Sequence, residues 1–196
     1  MTTIVRTAVV PSRRWKNGTG RTRELLRWPA AGGADDWQIR ISVAQIDADG
    51  PFSAYPGVDR WLAVLRGSAV ELTIDGAVQR LTREDAPIAF DGAATTTCHL
   101  VDGPTADLNL MLRDVPGQML PAADGVEWAP TAAQCGLYTA LPGRCHHDGA
   151  ATALPAHALL WFERAPARLR FDVEAARPTP FAWWIEADIE ATEPSR

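Results

Sequence analysis

Cysteine and histidine are scarce in this 196-residue chain, which holds three of the first and four of the second. Cys98, Cys135 and Cys145 are odd in number and sit at no motif spacing. That argues against a disulfide framework and for a reducing compartment, by default the cytoplasm. Long apolar runs are also missing. No stretch approaches the roughly 20 residues of a membrane helix, and Ala8-Val9-Val10 is too short for the core of a signal peptide. Positive charge is in deficit, 19 Lys and Arg against 24 Asp and Glu, for a net charge of -5. A partner such as the nucleic-acid backbone is therefore not expected, because binding it needs a cationic excess. Helical periodicity is weak throughout, with Thr82-Arg83-Glu84-Asp85 able to start one short turn at most. There is no Gly-x-Ser-x-Gly elbow, no phosphate loop and no dinucleotide fingerprint. The only histidine cluster is Cys145-His146-His147-Asp148. Neighbouring strand residues point to opposite faces, so it reads as a solvated loop and not as a metal site. No metal and no cofactor are expected.

What the chain does have is a 46% hydrophobic fraction, enough for a real core, punctuated by 15 glycines and 15 prolines. Short strands between turns are the natural reading. Trp37, Ile39, Ile41 and Val43 share one face of a period-two segment, and Gln38, Arg40, Ser42 and Ala44 the other. Asp107 to Arg113 alternates more cleanly. Its leucines point one way, while Asp107, Asn109, Met111 and Arg113 point toward either water or a polar cavity. Asp75-Gly76 is a hairpin signal. Leu62–Leu65 matches Leu159–Phe162, and Leu72–Asp75 matches Leu169–Asp172 at the same offset; Pro87–Phe90 then resembles Pro180–Trp183. This repeat points to two β barrels in tandem, with a boundary between Val115 and Gly125.

The loop Gly50-Pro51-Phe52-Ser53-Ala54-Tyr55-Pro56-Gly57-Val58-Asp59-Arg60 is dense in hydrogen-bonding groups and carries one permanent cation. Four segments in order closely resemble the HutD/Ves family of bacterial cupin-like proteins. They are Trp15 to Thr22, Trp37 to Ala44, this loop, and Leu100 to Met111. The resemblance covers about the first three-fifths of the chain. It departs from the family at Thr19, where a third glycine is usual, and at Asp91–Ala94, where an acidic residue usually follows the glycine.

The resemblance implies an all-β fold of cupin-type double-stranded β-helix barrels, two in tandem. Residues 1–118 would carry the family motifs and 119–196 a second, degenerate barrel, the two packed as one unit with room for strand exchange. Counting back from Gly67 puts Arg60 where metal cupins keep a Glu, and Tyr55 and Ser53 where they keep two histidines. A guanidinium and two hydroxyls hold a divalent ion poorly but suit a carboxylate. The implied function is a metal-independent binding protein for a small carboxylate, tied to histidine utilization, with urocanate or formiminoglutamate as type ligands. The expected ligand-binding residues are Lys16, Asn17, Arg40, Ser53, Tyr55, Asp59, Arg60, Asp107, Asn109 and Arg113. Lys16 and Asn17 would close the mouth, and Asp107 would pin Arg40 or Arg113. Trp15, Trp37 and Trp61 are expected in the core. The competing reading is a metal-free isomerase or lyase with Tyr55 as acid and His99 as base. A homodimer is compatible with either.

Overall fold

A computed structural model describes residues 1–29, 36–175 and 180–189. The period-two segments form strands. In chain order the first eleven are β1 (Thr2–Arg6), β2 (Arg13–Arg14), β3 (Gly20–Trp28), β4 (Ile39–Ile46), β5 (Gly50–Pro51), β6 (Val58–Arg66), β7 (Ala69–Ile74), β8 (Ala77–Thr82), β9 (Ile88–Asp91), β10 (Thr96–Val101) and β11 (Thr105–Arg113). Eight more follow: β12 (Gly117–Pro121), β13 (Glu127–Trp128), β14 (Gln134–Thr139), β15 (Gly143–His147), β16 (Ala150–Leu154), β17 (Ala158–Phe162), β18 (Leu169–Val173) and β19 (Ala182–Ala187). The one helical element among the described residues is a 3-10 turn at Thr7–Val9. Thr82–Asp85 forms a short turn that is not helical, in which the Asp85 N–H donates to the Thr82 carbonyl and the Asp85 carboxylate accepts from the backbone N–H and hydroxyl of Thr82. Asp75 and Gly76 both have positive φ, 47° and 86°, and link β7 to β8 as a two-residue hairpin. That is the twist-matched geometry such loops require.

The strands pair antiparallel into four sheets, in orders β2-β3-β4-β11-β6-β9, β5-β10-β7-β8, β1-β17-β14-β19-β12 and β13-β18-β15-β16. The run β4-β11-β6-β9 has the same plan as β12-β19-β14-β17, and β5-β10-β7-β8 the same as β13-β18-β15-β16. Each run closes with its partner into one barrel, so the chain is a tandem of two. The register of the repeat differs from the one the sequence suggested. The topological counterpart of β6 is β14, whereas the sequence match set Leu62–Leu65 of β6 on Leu159–Phe162 of β17. Apolar alternation recurs in every buried strand, so a self-comparison can slip by whole strands without losing its matches. The chain start crosses over: β1 pairs with β17 from Thr2↔Phe162 to Arg6↔Ala158, in the sheet of the later barrel.

Where the two large sheets pack face to face, Ile39, Ile41, Leu108, Leu110 and Leu112 meet Leu159, Trp161, Trp183 and Ile185. Each such side chain removed from water contributes about 1.5–3 kcal/mol. The leucine face of β11 is thus committed to this seam. Its polar face, with that of β4, must turn into the first barrel.

Candidate functional site

The inward faces of β4, β6 and β11 form cross-strand rows. Arg40, Met111 and Arg60 are Cα partners in one row, Ser42, Asn109 and Leu62 in the next, and Ala44, Asp107 and Val64 in the third. The first row, Ser42 and Asn109 of the second and Ala44 of the third border a cavity of about 490 Å³, within the range of small-molecule pockets. Its wall is completed by Ser53, Tyr55, Phe52 and Pro51 from the β5–β6 loop and by Arg14, Trp15, Lys16, Asn17 and Thr22 from the β2–β3 hairpin. That hairpin is held in place over the mouth. Asn17 Oδ1 accepts from the Thr19 N–H and hydroxyl, at 3.2 and 2.8 Å. The Thr19 carbonyl in turn accepts from the N–H groups of Asp47 and Ala48. Gly20 is required there, because a Cβ would stand 2.4 Å from the Gln45 carbonyl oxygen and against Trp15.

The cavity wall carries four cations, Arg14, Lys16, Arg40 and Arg60, and no acidic side chain, in a protein whose net charge is -5. Lys16 is the chain's only lysine. Arg40 is partly balanced from behind, its Nε donating to Glu24 at 3.0 Å, and it lies over the Trp37 ring. Arg60 is different. It is 7% exposed, and among the described residues no carboxylate pairs with it. Its Nε has no hydrogen-bond partner, and its Nη1 reaches only the Ser53 carbonyl at 3.5 Å. Its guanidinium carbon lies 4.9–5.8 Å from the ring centres of Phe90, Phe52 and Tyr55. Burial pulls its pKa down to about 10, with Tyr55 opposing the shift and Arg40 adding to it. The drop from 12.5 to about 10 corresponds to a destabilisation of about 3 kcal/mol in the charged form. The aromatic faces offset part of this, at about 0.5–2 kcal/mol for each cation–π contact.

Seven expected residues, Lys16, Asn17, Arg40, Ser53, Tyr55, Arg60 and Asn109, line this one cavity. Three do not. Asp59 follows the strand's alternation to the outer face and is exposed, opposite in direction to Arg60. Arg113 lies beyond the rim, its guanidinium carbon 4.6 Å from the Trp37 ring centre. Asp107 is fully buried, one row deeper than Asn109. It pins neither arginine: one oxygen accepts from the Thr105 hydroxyl at 2.9 Å and the other has no partner. Burial raises its pKa to about 7 against the Thr105 hydrogen bond. Trp37 is core at 2% exposed, but Trp15 is a wall residue, donating its indole N–H to Thr22 at 2.7 Å and meeting Phe52 edge-on. His99 is on the outer surface, bonded to Asp49 at 2.6 Å and absent from the cavity wall. Arg14, Thr22, Ser42 and Phe52 line the cavity without having been expected there. Ser42 could have been found from its phase with Arg40; Thr22 and Phe52 carried no comparable signal.

A metal ion, which barrels of this architecture often hold, does not fit the donors present. Ser53, Tyr55 and Arg60, which the family resemblance sets against the ligands of metal-holding barrels, offer a hydroxyl, a phenol and a guanidinium. Among the described residues no three His, Cys, Asp or Glu side chains converge. The His146–His147 pair follows strand alternation: His146 pairs with Asp172 at 2.9 Å, while His147 bonds Thr152 and packs edge-on against Phe162.

Comparison with known proteins places these features in a family. The model of the family described as HutD matches residues 7–179. The chain is 34% identical over 155 residues to the protein Ves of Citrobacter koseri, covering 71% of this chain and 80% of that one. It is also 34% identical over 108 residues to an uncharacterized 21.2 kDa protein in the hutC 3′ region of Pseudomonas putida. That match takes in 55% of this chain and only 56% of the relative's length. HutD of Pseudomonas fluorescens SBW25 superimposes with a TM-score of 0.80 at 24% identity, over 96% of this chain and 98% of that one. The cupin fold is shared more distantly with a salicylate 1,2-dioxygenase, at a TM-score of 0.62 and 9% identity over 96% of this chain and 81% of that one, a likeness of fold alone.

Proposed function

The chain belongs to the HutD family, and from that premise we propose that its first barrel binds a small carboxylate metabolite without a metal ion, as an accessory or regulatory step in histidine utilization. The observation that carries this is Arg60, a buried cation facing a cavity with no acid in its wall. Removing a charge from water is costly unless it is paired. Among the described residues no acidic group supplies the counter-charge, which leaves that role to a bound anion. A carboxylate would meet the guanidinium fork, with the Ser53 and Tyr55 hydroxyls as further donors. Phe52, Ile46 and Met111 offer an apolar surface to the rest of the molecule, and Asn109 and Ser42 can hydrogen-bond an imidazole or imino group. Urocanate and formiminoglutamate fit that division, and the gene-region name of the Pseudomonas putida relative supports the pathway.

Calorimetric titration of urocanate, formiminoglutamate and acetate into the wild type and Arg60→Met tests this reading. A pathway acid should bind, and the variant should lose about 2–4 kcal/mol, roughly 30- to 1,000-fold. No binding by the wild type, or equal binding by the variant, would overturn it. So would stoichiometric iron, nickel or manganese in the purified protein.

A further inference from the structure

A second cationic recess lies on the opposite face of the same sheet. On β3 and β4 the cavity takes Thr22, Ser42 and Ala44, whereas Arg21, Arg23, Val43 and Gln45 point the other way, toward the second barrel. There, with Arg66 from the end of β6, they meet Thr7, Tyr138 and His157, which belong to the segments packed with the later barrel. The recess measures about 180 Å³, room for roughly six waters. It exists only because the two barrels are joined.

Its polar lining brings donors and no acid, beside the apolar Val43, Leu65 and Ala106. Arg21 touches Asp47 at 3.4 Å across an exposed surface, and its Nε has no partner. Arg23 gives one N–H to the Val10 carbonyl. Arg66 has no ion pair among the described residues, and burial, with the Arg66 charge adding to it, holds the His157 imidazole below its ordinary pKa. Tyr138 is fully buried. Its hydroxyl reaches Thr7 Oγ1 at 3.5 Å and His157 Nδ1 at 3.3 Å, both longer than a well-made hydroxyl bond. Three guanidinium groups, a phenol, an imidazole and an amide thus border a space sized for a small anion, and of the three cations only Arg21 has a carboxylate partner among the described residues.

We infer that this inter-barrel recess is a binding site for a phosphate-type oxyanion, held by Arg21, Arg23 and Arg66 from one barrel and Tyr138 and His157 from the other. A monocarboxylate presents two oxygens and one charge. A phosphate carries close to two charges at neutral pH and enough oxygens for guanidinium groups arriving from three directions. Binding would tie the chain start to the joint, because Thr7 donates its backbone N–H to the His157 carbonyl at 2.9 Å.

Calorimetry with inorganic phosphate, in a buffer free of other multivalent anions, tests the site on the full chain. The wild type should bind with Kd below about 1 mM. Arg66→Ala, a change at an exposed side chain, should weaken binding at least tenfold, while Arg60→Met, on the other face of the sheet, should leave it unchanged. In NMR titrations phosphate should raise the His157 pKa, as an anion offsetting Arg66 must. Absence of phosphate binding overturns the inference. So does binding that survives Arg66→Ala, binding that falls with Arg60→Met, or binding that leaves the His157 titration where it was.

Discussion

The two barrels share one strand plan and have opposite interiors. In the first, the rows nearest the mouth are Arg40–Met111–Arg60 and Ser42–Asn109–Leu62, and they surround a cavity. In the second, the corresponding rows are Gln118–Glu186–Cys135 and Leu120–Trp184–Leu137. Trp184, stacked on Trp128 at 4.8 Å, fills the space along with Phe171, Phe162 and Leu154. The charge is treated just as differently. Glu186 is 2% exposed, and its carboxylate accepts from Gln118 Nε2, the Thr131 N–H and hydroxyl, and the Ala132 N–H. Burial works to raise its pKa, yet these hydrogen bonds together hold it below the ordinary value. One barrel contains an anion with its donors built in. The other contains a cation that has no carboxylate partner among the described residues. A duplicated scaffold thus carries two kinds of interior: the saturated copy is filled with packed side chains, and the unsaturated copy keeps an open cavity.

The largest expected effect on this contrast is on packing. Trp184→Ala should cost about 3–5 kcal/mol in urea unfolding, whereas Asn109→Ala, at the matching place in the first barrel, should cost less than about 1 kcal/mol. Equal losses would mean that the first interior is as tightly packed as the second. Next comes Glu186→Gln, which puts an amide where four donors converge and should cost about 2–3 kcal/mol at pH 7. Because the folded pKa of Glu186 is depressed, its contribution is present above the unfolded value and lost as pH falls through the folded one. The variant should therefore lose less than the wild type in acid unfolding.

Asp107→Asn should show the reverse pH dependence. The folded pKa of Asp107 is about 7 against an ordinary 3.8. Its contribution is thus fully present below about 3.8 and is lost as pH rises through 7. The variant should match the wild type near pH 4 and exceed it by up to about 4 kcal/mol near pH 8. The smallest change is in Arg60→Met without ligand, expected to raise stability by about 1–2 kcal/mol by removing an unpaired buried charge. A loss instead would show that the aromatic faces around the guanidinium already satisfy it.

Much of this was legible in the residues. Alternation in Trp37–Ala44 and Asp107–Arg113 marked the two strands that build the cavity wall, and the Gly50–Arg60 loop supplied its three most distinctive groups. Alternation also explains the errors. Asp59 adjoins Arg60 in sequence and so faces away from it. Asp107 and Arg113 share the phase of Asn109 but lie one row too deep and one step past the rim, and period two does not encode depth. The true repeat register was hidden because strand order, not sequence match, relates β6 to β14. The inter-barrel recess could not be read at all, since its arginines and Tyr138 come from elements more than 70 residues apart in sequence that only the seam brings together.

The most direct test of the contrast is a crystal structure of the wild type grown with urocanate. The account predicts a carboxylate about 3 Å from the Arg60 guanidinium inside the first barrel and nothing comparable in the second. A metal ion among Ser53, Tyr55 and Arg60, or an acid bound only elsewhere on the molecule, would contradict it.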